Sequence, residues 1–258
     1  MAIVREQFKS GSVVGGSPVA ITLNAATKLH SALLVVYRCF YSSTPYTTLA
    51  DNKGSTFGAP DNASPGTDGT LLVAAAYDIA GSGGVANHTV TVTLASQYYI
   101  VTVIEVSGLA LSAAFDKTHG ATSLNSYSSG DLSVATSVAD EYLLGAHGGY
   151  PLVTPTTAVP ATGWTQVDYA TDSTFHQLLT QDRIVSSTNT YRSDGTAQSF
   201  HNNLIMTYKG ATGGPTPTLT RNSSLSGLGS SGPFFHDPLS SKGFARRDRI
   251  FVPARMAA

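Results

Sequence analysis

The seven histidines are the side chains of this sequence best suited to acid–base or metal chemistry near neutral pH. No two are spaced as in H-x-H or H-E-x-x-H, no C-x-x-C occurs, and no G-x-S-x-G segment would expose a nucleophilic serine. We therefore expect no enzyme and no metal centre. A hydrolase is our third hypothesis, and its sign would be a Ser or Cys within hydrogen-bonding distance of a histidine in a cleft. The histidines are His30, His88, His119, His147, His176, His201 and His236.

Two loops resemble ligand sites by composition. Residues 81–86, GSGGVA, match the glycine fingerprint of dinucleotide binding, but that chemistry needs a helix after the glycines and a β-branched strand pattern follows instead. We interpret this segment as a hairpin loop and expect no cofactor. Asp61, Asn62, Ser64 and Asp68 could offer oxygen ligands to Ca²⁺, but they lack EF-hand spacing. Asx turns around Pro65 and Gly66 explain the same residues, so we favour a turn over a metal site.

Aromatic side chains could form a platform on which sugars stack, and a tail- or surface-associated glycan-binding adhesin is therefore the alternative function. The residues for such a platform are Tyr98, Tyr127, Tyr150, Trp164 and Tyr169. An all-β protein also buries tyrosines or places them at sheet edges without any ligand, and we favour that interpretation.

The elements that must position these side chains are strands. In NHTVTVTL, Val90 and Val92 alternate with threonines, which predicts a strand with one buried face. YYIVTVIEVSG (98–108) has apolar residues at both odd-numbered and even-numbered positions, which point to opposite faces of a strand. This pattern predicts a central strand covered on both faces. Similar runs occur at 31–41, 70–79, 141–149, 163–170, 175–185 and 199–210. With turn residues between them and no helical pattern, they predict an all-β, antiparallel two-sheet β-sandwich, jelly-roll-like, over residues 1–210.

Two charges lie inside these apolar runs. Arg38 shares its parity with Leu34 and Val36, and Glu105 shares its parity with Val101 and Val103. Buried charges are usually paired, so we expect Arg38 and Glu105 to approach each other across the sheets. The single cysteine, Cys39, is expected to be a small buried hydrophobe.

Residues 211–258 differ in character from the rest and predict an extended C-terminal arm. They contain five prolines, no alternating run, and six Lys/Arg against two Asp/Glu, a net charge of +4; residues 1–210 have nine against 14, a net charge of −5. As a random coil these 48 residues would span about 40 Å. Arg and Phe are common anchors of protein interfaces, which makes the arm a docking element. The predicted partner-binding residues are Phe234, Phe235, Phe244, Arg246, Arg247, Arg249, Phe251 and Arg255.

Composition limits where the protein is expected to be located and which classes of partner it is expected to bind. The N-terminal MAIVREQFKSGS lacks the apolar core of a signal peptide, and no apolar run approaches the roughly 20 residues that span a bilayer. We expect no membrane partner. Low charge with abundant Ser, Thr and Gly is nevertheless typical of extracellular β-proteins, and a virus particle assembled in the host cytoplasm satisfies both observations. We do not expect nucleic acid as a partner, because the chain as a whole provides little electrostatic steering toward phosphate.

Four segments carry a resemblance: residues 98–123, residues 128–149, GWTQ (163–166) and NLIMTYKGA (203–211). With their V-x-E-x-S-G-L, D-E-x-L-L-G and K-G-A patterns they resemble a loose family of β-sandwich proteins from tailed bacteriophages and some bacterial surface proteins. The resemblance covers about residues 90–211 and implies a virion structural protein. We expect a homo-oligomeric capsid decoration or cement protein that docks on neighbouring subunits through its arm. The arm departs from the family pattern and leaves open whether the protein belongs to the head or the tail.

Overall fold

The computed structural model describes residues 1–14, 18–39, 48–59, 62–66, 69–76, 86–93, 98–122, 127–149, 158–172, 176–196 and 200–211. Within these ranges the chain forms sixteen strands and no helix, so the all-β prediction is confirmed. The strands are β1 (Val4–Val14), β2 (Val19–Thr22), β3 (Ala32–Cys39), β4 (Thr48–Asp51), β5 (Asn62–Gly66), β6 (Gly69–Ala76), β7 (Thr89–Thr93), β8 (Tyr98–Ser107), β9 (Phe115–Thr122), β10 (Tyr127–Ser128), β11 (Asp140–Gly149), β12 (Val159–Pro160), β13 (Thr165–Thr171), β14 (Gln177–Ser186), β15 (Asp194–Thr196) and β16 (Phe200–Lys209).

Two five-stranded antiparallel sheets pack face to face and form the sandwich. The first has the order β1-β8-β3-β6-β5 and the second the order β13-β14-β11-β16-β9. Their facing sides make one apolar core, to which β3 contributes Leu34 and Val36, β8 contributes Ile100 and Ile104, and the second sheet contributes Leu144 among others. The predicted antiparallel sandwich is confirmed.

Two smaller three-stranded sheets accompany the main sheets. The sheet β2-β7-β4 covers the outer face of the first, where Val90 and Val92 pack with Val35 and Val101. The sheet β10-β15-β12 lies by the outer face of the second, where Tyr127 packs on Leu179. These outer layers explain why β3 and β8 are apolar at both parities: each of their faces is buried under another layer.

Contacts divide the chain into two units, Met1–Thr216 and Pro217–Ala258. All described residues belong to the first unit. The predicted arm beyond Ala211, and with it every predicted partner-binding residue, lies outside the described residues. Within the described part, no helix has the length and apolar character needed to cross a bilayer.

The predicted contact between Arg38 and Glu105 is wrong. Both side chains are buried, but β3 and β8 are neighbours in one sheet, with Arg38 opposite Ile100 and Glu105 opposite Leu33. Five residues of strand, roughly 16 Å, separate the two positions. Arg38 also has the parity of the inner core, whereas Glu105 has the parity of the outer one. Parity is readable from the sequence, but it does not tell whether two strands pair in one sheet or face each other.

Each of the two charges has its own surroundings. The Glu105 carboxylate accepts hydrogen bonds from Gln7 Nε2 (2.7 Å), the backbone N of Lys28 (2.6 Å) and Ser31 Oγ (2.7 Å). It thereby ties the segment before β3 to β1 and β8. Arg38 crosses the sandwich to the backbone of Gly148 in β11, where a Cβ atom would fall 1.9 Å from the guanidinium Nη1. Glycine at this position makes room for the arginine head.

Candidate docking surface

The last described residues are hydrogen-bonded into one end of the sandwich. Leu109, just after β8, forms an isolated β-bridge with Gly210, just after β16. The backbone N of Ala110 donates to Lys209 O (3.0 Å), and the N of Ala211 donates to Gly108 O (2.7 Å). We call this the exit end, because the chain passes here from the described body into residues 212–258.

A groove of about 460 Å³ opens at the exit end. Its apolar side chains include Ile3 and Ile184, and Asp140 has the one charged side chain among the described residues that line it. Ala211 itself forms part of the wall. The groove is lined by Met1, Ala2, Ile3, Asp140, Ile184, Val185, Ser186, Gly210 and Ala211.

Large hydrophobic side chains are exposed around the groove and in the loops beside it. Ile184 is 52% exposed although it lies in β14, opposite the buried Tyr142 of β11. Exposed apolar groups that gather at one place are typical of interaction sites, whereas scattered ones need no explanation. Of the exposed large hydrophobic residues, Met1 and Ile184 line the groove, and Leu111 follows the bridge at Leu109 in sequence.

Tight backbone geometry shapes the loops of the exit end. His30 and Ala113 have φ values of 57° and 50°, a region that non-glycine residues adopt at a cost. Each lies within two residues of an exposed leucine, Leu29 or Leu111. Gly108 has φ 79°, and a Cβ there would fall 2.2 Å from the carbonyl oxygen of Ala2. The chain entry at Ala2 is therefore packed against the turn after β8, and this contact fixes one wall of the groove.

A pair of carboxyl groups, Asp116 and Glu141, lies at the starts of β9 and β11. Asp116 accepts hydrogen bonds from Ser137 N (2.7 Å) and Ser137 Oγ (2.6 Å), which hold the loop before β11. Burial, followed by the nearby carboxylate of Asp116, raises the pKa of Glu141 to about 7. Burial also raises the pKa of Asp116, but the bonds from Ser137 and the charge of Lys117 outweigh it and hold that pKa below its usual value. Between them the two carboxyl groups can share a proton near neutral pH.

A serine–histidine contact does occur in the structure, between residues that are 46 positions apart. His147 Nε2 lies 2.7 Å from Ser193 Oγ, and His147 Nδ1 lies 2.9 Å from Asn203 Oδ1. Gln181 Nε2 donates to the same Ser193 Oγ at 2.7 Å. All four residues are fully buried, and burial lowers the pKa of His147 to about 3. A substrate cannot reach this serine, so the arrangement acts as a cross-link between β11, β14, β16 and the segment before β15.

Two other histidines form buried hydrogen-bonding contacts with aspartates. His88 Nε2 lies 2.7 Å from Asp51 Oδ2, and its Nδ1 lies 3.0 Å from Thr27 Oγ1. His176 Nδ1 lies 2.6 Å from Asp172 Oδ2. These contacts join neighbouring segments and do not line the groove. Within the described ranges, no group of three or more His, Cys, Asp or Glu side chains could hold a metal ion.

The structure changes the interpretation of the predicted loops. Asn62–Gly66 is strand β5, so Pro65 and Gly66 lie in a strand and the predicted Asx turn around them is wrong; the hairpin closes between Gly66 and Gly69. Asp61 and Asp68 lie outside the described residues, as do residues 81–85 of the glycine-rich segment. The strand predicted after that segment is present as β7, with Val90 and Val92 buried and the threonines half-buried.

The four described members of the predicted aromatic set are buried or half-buried and do not form an exposed platform for stacking on sugars. Tyr127 is fully buried and Trp164 is only 8% exposed, with its Nε1 donating to Arg192 O. Tyr98 and Tyr169 are half-buried, and Tyr150 lies outside the described residues. The interpretation as buried or edge aromatics is confirmed for the described members.

The chain was compared with protein-family models, curated proteins and solved structures. None of them matches it. The candidate site is therefore defined by geometry alone. Sequence reasoning missed the groove, because its residues come from both ends of the described body and from β11 and β14. No local spacing unites Ile3, Asp140 and Ile184; only the strand register brings them together.

Proposed function

We propose that this protein is a structural component of a virus particle, of the phage capsid decoration or cement type, which attaches to neighbouring subunits through residues 211–258. The observation that carries the proposal is the exit end. A groove with both apolar and polar lining, and the exposed side chain of Ile184, lie where the described body ends at Ala211, and a basic, Phe-containing sequence follows Ala211. Such a surface is suited to protein contacts, which is why we assign attachment to this end of the body and to the sequence that follows it.

The body supports the proposal by its construction. Buried polar side chains such as Glu105, His147 and Ser193 are hydrogen-bonded between different strands and the segments beside them, which favours one rigid arrangement of the strands. A rigid body that carries one attachment region can be repeated over a lattice. Many modest contacts then combine by multivalency into a strong overall attachment. The sequence resemblance to virion β-sandwich proteins is the reason for placing that lattice on a virus particle.

Two other functions have less support. A glycan-binding adhesin needs exposed aromatics, and Tyr127 and Trp164 are buried. A hydrolase needs an accessible nucleophile, and the serine that contacts a histidine, Ser193, is fully buried.

Truncation after Ala211 tests the proposal, with thermal unfolding and retention on particles as the two readouts. All hydrogen bonds that hold Gly210 and Ala211 remain in the truncated chain, so we expect its melting temperature to be unchanged. We expect retention on particles stripped of the native protein to be lost. Retention that survives the truncation would show that the body is the attachment surface, and the proposal would then be wrong.

A matched pair of variants separates anchoring from bulk charge. Phe244→Ala with Phe251→Ala removes two predicted anchors and keeps every charge, whereas Ser230→Ala with Ser231→Ala changes the same segment without touching an anchor. We expect only the first pair to weaken retention.

A further inference from the structure

We infer that the groove at the exit end receives the arginine–aromatic part of the C-terminal segment, residues 243–255, of a second copy of this chain. The inference rests on the proposed function and deepens it, because it names the partner and the place of the contact. The chain would then assemble with itself by exchange of segments, each copy giving one segment and receiving another.

The groove presents both apolar and polar surface to an incoming segment. Its volume of about 460 Å³ falls within the roughly 300–1,000 Å³ that binding pockets occupy. Ile3 and Ile184 offer apolar surface, and Ile184 is half exposed. Asp140 adds one exposed carboxylate at the wall. An incoming segment that fits this lining has a large apolar side chain next to a cation.

The C-terminal segment has that composition. Within residues 243–255, Phe244 and Phe251 are interleaved with four arginines. Arg is the cation best suited to a carboxylate such as that of Asp140, because its guanidinium binds both oxygens at once. Residues 212–242, the 31 residues between the body and this part, span about 30 Å as a coil. That reach is sufficient for a neighbouring copy.

Charge favours a second copy over an unrelated partner. Residues 1–210 carry nine Lys/Arg and 14 Asp/Glu, a net charge of −5, whereas residues 211–258 carry six and two, a net charge of +4. The complementary charges belong to the same sequence. Copies of the chain therefore attract one another head to tail, and such a heterologous contact builds rings or open lattices.

The test is self-association of the full-length chain, measured by sedimentation velocity over a range of concentrations. Ile184→Asp places a charge in the groove, and Val159→Asp is the matched control, because Val159 is a similarly exposed hydrophobe (55%) in β12, outside the lining. We expect Ile184→Asp to weaken self-association about tenfold or more and Val159→Asp to leave it unchanged. Equal melting temperatures of the two variants would show that both fold.

Mixing two defective chains distinguishes exchange between copies from other arrangements. The Ile184→Asp chain keeps an intact segment, and the chain truncated after Ala211 keeps an intact groove. Neither should associate with itself, but their mixture should form a one-to-one heterodimer. Absence of the heterodimer, a monomeric wild type, or an equal effect of both aspartate variants would overturn the inference. Normal particle retention of Ile184→Asp, together with lost retention of the truncated chain, would refute this groove as the dock and leave the proposed function standing.

Discussion

Ser193→Ala is the perturbation that most sharply separates a buried cross-link from a catalytic site. The substitution removes Ser193 Oγ and thereby the 2.7 Å contacts with His147 Nε2 and Gln181 Nε2. A buried polar group left without a partner costs about 1–3 kcal/mol. Gln181 Nε2 keeps a second acceptor, Asp194 O at 3.2 Å, so the main loss falls on the imidazole. We expect the free energy of unfolding to fall by about 2–3 kcal/mol.

Urea unfolding at pH 7 and calorimetry measure this loss. For a body of about 200 residues, 1 kcal/mol corresponds to roughly 2–4 °C in melting temperature, so we expect a decrease of about 4–12 °C. Ser133→Ala is the control, because Ser133 is exposed in the loop before β11, and its effect should stay within about 0.5 kcal/mol.

Two results would refute this reasoning. An unchanged free energy of unfolding in Ser193→Ala would mean that the network does not stabilise the fold. Labelling of the native protein by a fluorophosphonate probe, abolished in Ser193→Ala, would mean that Ser193 is accessible and activated. We expect the native protein to resist the probe and the unfolded chain to show no selective labelling.

Three further predictions concern other buried groups. Glu141 has a raised pKa of about 7 in the folded state, so its contribution to the free energy of unfolding is fully present at acid pH and is lost as pH rises from about 4.5 to 7. Glu141→Gln should remove this pH dependence. By pH 8 its free energy of unfolding, measured with urea, should exceed that of the wild type by on the order of 1–3 kcal/mol. Gly148→Ala should cost about 1–3 kcal/mol, because its Cβ would meet the Arg38 guanidinium, whereas Gly58→Ala, with only an ordinary contact at 3.7 Å, should stay within about 0.5 kcal/mol. Glu105→Ala leaves the backbone N of Lys28 without its acceptor, whereas Gln7 Nε2 keeps Ala25 O (3.1 Å) and Ser31 Oγ keeps Lys28 O (2.8 Å). We expect the free energy of unfolding to fall by about 1–3 kcal/mol, measured by thermal unfolding, and wild-type stability would contradict the role of this carboxylate.

The fold was predictable where burial leaves a pattern in the sequence. The alternation in β7 and the apolar runs of β3, β8 and β11 follow directly from which faces are covered. The edge strands β1 and β9 were missed, because their described residues are half-buried or exposed and show no alternation of apolar and polar side chains. An edge strand is specified mainly by the backbone of its neighbour, which composition does not reveal.

The site was less predictable than the fold, because its residues become neighbours only when the strands pair in the observed register. His147 and Ser193 are 46 residues apart, and Ile3 and Ile184 are 181 apart. The error on Arg38 and Glu105 has the same origin. The odd or even position of a residue in its strand places its side chain on one face of the sheet. Only the strand order and register decide which faces pack together and which residues are paired. The extended arm at residues 211–258 stays a prediction from composition, because residues 212–258 lie outside the described residues, and the position of the groove beside Ala211 was not predictable.

The buried polar clusters affect the exit end because they select the register in which the strands pair. A sandwich of apolar strands can slip by two residues and still bury its hydrophobic face, because side chains repeat with that period. Glu105 lies opposite Leu33 and binds the backbone before β3, and His147 lies opposite Asn203 and binds Ser193; either contact would be broken by such a slip. These contacts therefore select one register. The groove depends on that selection, since a two-residue shift of β14 against β11 would displace Ile184 relative to Asp140 by about 6–7 Å in one direction or the other. The buried polar groups thus act on the proposed docking surface through the alignment of the strands that form it.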